Sequence, residues 1–411
     1  MARKNYAWED NKAKLEIHSR KKHDILCRYF RQYLITRCQL PQQEKFKLAI
    51  VDGFSGAGLY DGDNYGSPLI FVDTLGKTTH EINLGRKNQG FRAITIDCLL
   101  ILNDSDTEAI NLLKKNLSPL LIQAKETSPY LNINVEYFNS SFEKIYPTIK
   151  SHINTFNTNN VIFNLDQCGY SKVNAIIIRE ILGTWRSAEV LLTFMIGSML
   201  AYLSPQEERS RVPLEPEVRE KVNLILNNMA LLNKHQWLGE AEKIVFNYLQ
   251  NCATYVSPFS INNPGGWHYW LMHFSNVHRA RQVFNDILHQ DGSLQAHFGK
   301  AGLNMLSYDP QNEGQLYLFN EDSRQLAKEA LSEDIPRLVS SLGKDILMET
   351  FYAKAYRETP AHSDDIHEAM INSPEIEIIT KKGGKRRASK SINKEDMLTI
   401  TKQRSFFFVK K

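Results

Sequence analysis

The sequence predicts an α/β protein: a mostly parallel, doubly wound sheet ending in an antiparallel hairpin, with a helical insertion and a basic, winged-helix-like C-terminal domain. Three observations carry this. Apolar runs at 47–52, 98–103 and 161–166, each ending on or beside an acid, alternate with helical patterns, as parallel strands with crossover helices do. The run Ile50-Val51-Asp52-Gly53-Phe54-Ser55-Gly56-Ala57-Gly58 breaks from a buried strand into a glycine turn. Past residue 250, two strand candidates flank Asn262-Asn263-Pro264-Gly265-Gly266, which is hairpin chemistry.

Taken in order, residues 15–38 carry Ile17, Ile25, Leu26, Tyr29, Phe30, Tyr33 and Leu34 mostly three or four apart, an amphipathic helix. Strand one is 47–52. Ser67 reads as the N-cap of a helix over 67–76, with Pro68 its first residue. The polar stretch 76–88 reads as a long exposed loop. Strand two, 98–103, leads to Asp104 and a helix over 108–117. Strands three, four and five are 133–138, 161–166 and 190–194. Residues 217–250 are predicted helical, and 252–261 with 267–274 form the hairpin. Helices are expected at 276–290 and 324–357. From 359 the pattern is turn, helix 363–371, strand 375–380, basic loop 381–390 and strand 397–409.

Composition is that of a globular protein, 42% hydrophobic and 23% charged, with a net charge of +4. The charge is uneven: residues 381–411 hold eleven Lys or Arg against Glu395 and Asp396, leaving the rest mildly acidic. An anionic partner for the tail is implied. Absence of a bilayer-spanning apolar run or signal-peptide core leads to a cytoplasmic expectation. Cys27, Cys38, Cys98, Cys168 and Cys252 are scattered, without zinc spacing, so neither disulfides nor metal are expected.

The chemistry converges on strand ends. In a doubly wound sheet these meet in one crevice, so Asp52, Asp104 and Asp166 should face a shared site. The turn lacks both the Gly-Lys-Ser/Thr ending of a phosphate loop and the Gly-x-Gly-x-x-Gly dinucleotide pattern. Its Asp-x-Phe-x-Gly-x-Gly form resembles the first motif of S-adenosylmethionine-dependent methyltransferases, which assigns Asp52, Phe54, Ser55, Gly56 and Gly58 to the cofactor. Asp104 is placed to accept from a ribose diol, although it or Ser105 could instead cap the next helix; its distance from Asp52 exceeds the usual ~20 residues. Ser140, after strand three, would lie near the adenine, or Asn139-Ser140 is a plain turn. Asp166 is the candidate base or substrate orienter, with Tyr170 as a stacking surface. Cys168 is a packed thiol or a methyl-accepting nucleophile. Lys21, Lys22 and His23 read as a solvated basic face or a substrate-phosphate contact. Lys381, Lys382, Lys385, Arg386, Arg387 and Lys390 bracket Gly383-Gly384 like a wing tip able to neutralise phosphates.

The chain resembles the three-Cys-motif partner family, a bacterial and phage-associated group with a class I, Rossmann-like methyltransferase domain. The resemblance rests on residues 51–58, on Tyr60 with Gly66-Ser67-Pro68-Leu69, and on Lys22-His23-Asp24-Ile25-Leu26. It continues through Leu165-Asp166 with Gly169, the strand His268-Tyr269-Trp270-Leu271-Met272-His273-Phe274-Ser275, and Gly384-Lys385-Arg386-Arg387. Where the family has Asp-Pro-aromatic-Gly, this chain has Asp166-Gln167-Cys168-Gly169. The resemblance implies S-adenosylmethionine as cofactor and a radical-S-adenosylmethionine-like partner with three cysteines, which would hold the iron–sulfur cluster. The expected domains are 1–300, methyltransferase-like with a helical insertion at 205–250; 301–342, a connector; and 343–411, winged-helix-like and basic. The expected function is a methyltransferase-like protein acting on nucleic acid or a nucleic-acid-associated partner. The alternatives are a non-catalytic binding protein on the same fold and a winged-helix regulator that senses a nucleotide.

Overall fold

The chain divides into two compact units, Met1–Asn276 and Val277–Lys411. The computed structural model describes residues 13–167, 169, 171–196, 220, 243–262, 268–290, 294–296, 302–303, 317–318 and 321–401. Most of the expected insertion at 205–250, the hairpin turn, Cys168, Tyr170 and the end of the last strand lie outside the described residues.

The first unit runs α1 (Ile17–Arg37), β1 (Lys45–Asp52), α2 (Ser67–Asn88), β2 (Thr95–Asp104), α3 (Thr107–Thr127), β3 (Leu131–Asn139), α4 (Phe142–Phe156), β4 (Asn160–Leu165), α5 (Ala175–Thr184) and β5 (Ser187–Phe194). It continues into β6 (Tyr255–Asn262) and β7 (His268–Ser275). Seven of the unit's described strands lie in one sheet, ordered β6-β7-β5-β4-β1-β2-β3, while Leu59–Tyr60 and Asn64–Tyr65 pair as a separate short ribbon. β1 to β5 pair in parallel, whereas β7 is antiparallel to both β5 and β6. The hairpin therefore folds back so that its second strand, not its first, meets β5. Each parallel strand starts one to three residues before the apolar run that betrays it. The extra residues are partly polar, as with Lys45, whose ammonium is 2.8 Å from Asp97 on β2.

Two expectations about the stretch after the glycine turn are corrected. The helix begins at Ser67 with Gly66 as its N-cap and Pro68 in its first turn, and it continues to Asn88, so 76–88 is not a loop. Tertiary contacts hold its polar second half. Gly76 lies so close to α3 that a Cβ there would be 3.2 Å from the Ala124 Cβ. Asn83 exchanges two hydrogen bonds with the backbone of Ile94, of 2.7 and 3.0 Å. The buried Arg86 guanidinium donates to the carbonyls of Leu40, Pro41, Gln43 and Arg92 at 2.7–3.0 Å. A helix whose polar residues are spent on neighbouring loops does not look amphipathic in sequence.

Around the sheet, Phe30 of α1 meets Phe71 of α2 edge-on at 5.1 Å. Phe142 and Tyr146 of α4 surround Phe163 of β4. A buried polar cluster fixes the register of α1: Tyr29 donates to Glu189 of β5, and His273 of β7 sits 3.0 Å from the same carboxylate. Burial and the Glu189 charge push the Tyr29 phenol far above its usual range.

The second unit contains α6 (His278–Leu288), the short antiparallel pair β8 (Leu294–Ala296) and β9 (Tyr317–Leu318), α7 (Glu321–Leu342), β10 (Asp345–Leu347), α8 (Met348–Ala355), α9 (Ser363–Asn372), β11 (Ile376–Ile379) and β12 (Met397–Ile400). Its three-stranded antiparallel sheet is ordered β10-β12-β11. Helix, strand, two helices, then two strands joined by a loop is the winged-helix order. The expected single helix over 324–357 is broken by Gly343 (φ +135°) and by β10, which β12 recruits by long-range pairing. The stretch 301–342 holds α7, whose Arg324 clasps Asp365 of α9 at 2.7 and 2.9 Å. The turn into α9 is held from α6, where Asp286 accepts from the N–H and the hydroxyl of Ser363, both at 2.8 Å. No helix among the described residues is long and apolar enough to cross a membrane.

Candidate functional site at the strand ends

The strand order reverses direction at β1: the chain goes from β1 outward to β2 and β3, then returns to β4 on the other side. Such a switch point opens a crevice at the carboxyl ends of the strands. β1 pairs with β4 so that Asp52 faces Asn164, and Asp166 follows two residues later. The pleat therefore carries Asp52, Asn164 and Asp166 on one face, the face that α1 covers.

Gly56 (φ +57°) and Gly58 (φ +76°) occupy the left-handed region. Gly58 also has no room for a side chain, since a Cβ would lie 2.5 Å from Leu113 and 2.6 Å from Leu69. The turn is stapled to the end of β2. The Gly56 N–H donates to Asp104 Oδ2 at 2.9 Å and the Ser55 N–H to the Asn103 carbonyl at 2.9 Å. The Ser55 hydroxyl donates back to the Asp52 carbonyl at 3.0 Å. Phe54 is half-buried, with the Lys172 ammonium 5.8 Å from its ring centre.

Asp104 does not cap the next helix, and neither does Ser105. Asp106 does so, accepting from the N–H groups of Glu108 and Ala109 at 2.9 and 3.3 Å. Asp104 Oδ1 accepts from the Asp106 N–H at 2.9 Å, so each of its oxygens holds one backbone donor and keeps one lone pair. Burial raises its carboxyl above the ordinary value, against the pull of those two donors.

Asn103, which sequence reasoning passed over, joins three strand ends. Its amide donates to the carbonyls of Gly53 and Ser140 at 3.1 and 3.0 Å, and its oxygen accepts from the Ser140 N–H at 3.2 Å. Ser140 is thereby brought to the site through its backbone. The only hint in the sequence was an amide in the last position of an apolar run.

Asp52 is fully buried. Its Oδ1 receives one long bond, from the Phe54 N–H at 3.3 Å, and its Oδ2 has no hydrogen-bond partner among the described residues. Desolvation pushes its carboxyl up to about 7, opposed by the polar groups of Ser67, Phe54 and Asn164.

Asp166 is engaged. Lys22 of α1 places its ammonium 2.6 Å from both carboxylate oxygens. Burial would raise this carboxyl, but Lys22, Thr193 and His23 outweigh it and hold it below the ordinary range. Lys22 and His23 are both 9% exposed, so they are not a solvated face. Desolvation, chiefly, holds His23 down at about 4, and its Nδ1 lacks a partner among the described residues. The buried Gln167 uses its carbonyl to accept from the N–H groups of Lys172 and Val173 at 2.8 and 3.1 Å, shaping the loop after β4. Tyr170, assigned to the same site, lies outside the described residues. Among the described residues no cluster of three or more His, Cys, Asp or Glu could hold a metal.

The basic wing between β11 and β12 divides into two sets. Arg386 makes a two-pronged bond to the buried Asp396 at 2.8 and 3.0 Å, Lys385 reaches Glu377 at 2.8 Å, and Lys381 lies 3.6 Å from Glu395. Lys382, Arg387, Lys390 and Lys394 are exposed, with no ionic partner among the described residues. No curated protein matches the chain. Residues 307–383 match the family model of the GMT-like wHTH domain, so the second unit carries a winged helix-turn-helix.

Proposed function

We propose that the chain is an S-adenosylmethionine-dependent methyltransferase-like protein whose first unit holds the cofactor and whose winged helix-turn-helix engages nucleic acid or a nucleic-acid-associated partner. The observation that carries the reading is the orphaned Asp52 Oδ2, a buried acceptor beside a glycine turn that is itself bonded to Asp104. An unpaired buried carboxylate oxygen is costly unless a ligand donates to it. The α-ammonium of a bound amino acid moiety fits that need, and the free lone pairs of Asp104 suit a ribose diol. The strand order, with one antiparallel strand between β5 and β6, also supports the reading.

S-adenosylmethionine supplies a methyl group already activated by its sulfonium. The chain's part is to bind and orient: Asp52 for the ammonium, the backbone of residues 55–58 for close approach, Asp104 for the sugar. Asp166, held ionised by Lys22, is a weak base and a better orienter for an amino group or ammonium. The partner with three cysteines rests on the family resemblance.

One observation favours a second reading, a non-catalytic nucleic-acid-binding protein on the same fold: the Lys22 ammonium occupies both oxygens of the strand-four acid. Calorimetric titration with S-adenosylmethionine and S-adenosylhomocysteine, using the wild type and Asp104→Ala, tests the first. Micromolar binding lost in the variant supports the cofactor site, and labelled-methyl transfer to DNA or RNA then separates enzyme from binding protein. No binding, with or without nucleic acid, would sink the cofactor reading.

A further inference from the structure

We infer that the second unit grips the phosphodiester backbone of nucleic acid with its wing alone, through Lys382, Arg387, Lys390 and Lys394, while α9 stays out of the groove. This rests on the nucleic-acid half of the proposed function and not on the cofactor. In a helix-turn-helix the second helix enters the major groove and its N-terminal residues meet the base edges. Here that helix is α9, and its sequence Ser-Asp-Asp-Ile-His-Glu-Ala-Met-Ile-Asn contains no Lys or Arg. Asp364 and Glu368, one helical turn apart, are exposed. Asp365 is held by Arg324 at 2.7 Å and Lys328 at 3.4 Å, and Lys328 also lies 3.7 Å from Glu368, so the three carboxylates of α9 share two cations and its exposed face stays net negative. His367 offers no compensating charge, because burial lowers it to about 4 and its Nε2 lies 2.6 Å from the Tyr352 hydroxyl. A net negative reading face, with Asp364 exposed beside Glu368, meets a duplex carrying one negative charge per ~1.7 Å, so insertion is repelled.

The wing is the opposite case. It is a shaped loop: Thr380 N–H donates to the Gly384 carbonyl at 2.7 Å, and Gly384 N–H to the Thr380 hydroxyl at 3.0 Å. Gly383 takes φ +83° at the tip. Arg386 and Asp396 tie the two limbs together, and Asp396 also accepts from the Asn393 N–H at 2.8 Å. Lys381, Lys385 and Arg386 already have anionic partners, which leaves the four named cations to meet phosphates. Phosphate contacts position a protein without reading sequence. Four of them set a salt slope of about −3.6 on duplex DNA.

The experiment is fluorescence anisotropy with the full-length protein on two unrelated DNA duplexes, an RNA duplex and a single strand, between ~50 and ~200 mM salt. The expected result is equal affinity for the two DNA sequences. K382A/R387A/K390A/K394A should weaken binding at least ~10-fold and flatten the slope, whereas K381A/K385A changes it less than ~3-fold. D364K/E368K, which leaves the wing intact, should tighten binding. Unchanged melting temperatures verify that the variants fold, and the RNA and single-strand arms identify which backbone is preferred. The inference is overturned if the wing variant binds like the wild type, if Asp364→Ala or Glu368→Ala abolishes a discrimination between the two DNA sequences, or if the wild type binds none of the four. Cofactor calorimetry on the wing variant is independent, so failure here leaves the cofactor reading standing.

Discussion

Lys22 of α1 lies 2.6 Å from both carboxylate oxygens of Asp166 at the end of β4, tying α1 to the strand-end crevice. Their side chains are 10% and 29% exposed, so Lys22 is shielded from water and Asp166 partly so. Among the described residues it is the one ion pair by which a residue before β1 reaches the candidate chemistry.

Breaking that pair from one side leaves a desolvated charge alone. Lys22→Met is expected to cost about 1–3 kcal/mol, and Lys22→Met/Asp166→Asn to recover much of it, a coupling readable in a double-mutant cycle of urea unfolding. Because the folded Asp166 carboxyl is depressed, its contribution is present above the unfolded carboxylate pKa and disappears as pH falls through the folded value. Wild type should therefore lose more stability on acidification than Asp166→Asn does. Equal losses would mean that the pair contributes nothing.

Asp52 acts in the opposite direction. Its folded value of about 7 lies above the ordinary 3.8, so its contribution is full below the unfolded pKa and is lost as pH rises through about 7. Between pH 5 and pH 8 the wild type should lose on the order of 2–3 kcal/mol relative to Asp52→Asn. Asp52→Asn should accordingly melt higher than the wild type at pH 8 while failing to bind S-adenosylmethionine. A melting difference independent of pH would contradict the assignment of the burial cost to Asp52.

Asp104 and Asp106 are two residues apart and separable. Asp106→Ala removes the α3 cap at a cost of about 1 kcal/mol and should leave cofactor affinity within ~3-fold. Asp104→Ala should abolish that affinity. Thermal melts and titration on both variants check this, and equal losses of affinity would reduce Asp104 to a structural role.

The glycine turn permits a graded test. Gly58→Ala combines a left-handed φ with contacts to Leu113 and Leu69 that no Cβ can make, and should cost about 2–4 kcal/mol. Gly62→Ala has a similar φ (+63°) in open surroundings, with Asn64 Nδ2 3.5 Å away, and should cost about 1 kcal/mol. Comparable unfolding free energies for the two variants would show that space at Gly58 does not matter.

The sequence by itself determined the parallel strands, the glycine turn, the hairpin and the basic loop of the wing, because apolar alternation and turn chemistry are local properties of the chain. It also put Asp52, Asp104 and Asp166 at strand ends. It misjudged α2, since Asn83 and Arg86 are satisfied by loops distant in the chain and look merely polar in a row of letters. Only the tertiary structure decided that β7 lies between β5 and β6, that Asp106 rather than Asp104 caps α3, and that Asn103 holds the strand ends together. It alone separated the wing's cations into paired and unpaired sets and brought Lys22 onto Asp166. The reason is common to all of these: a charge or a hydrogen bond is settled by its partner, and each partner lies across the fold or depends on a choice between equivalent neighbours that spacing cannot resolve.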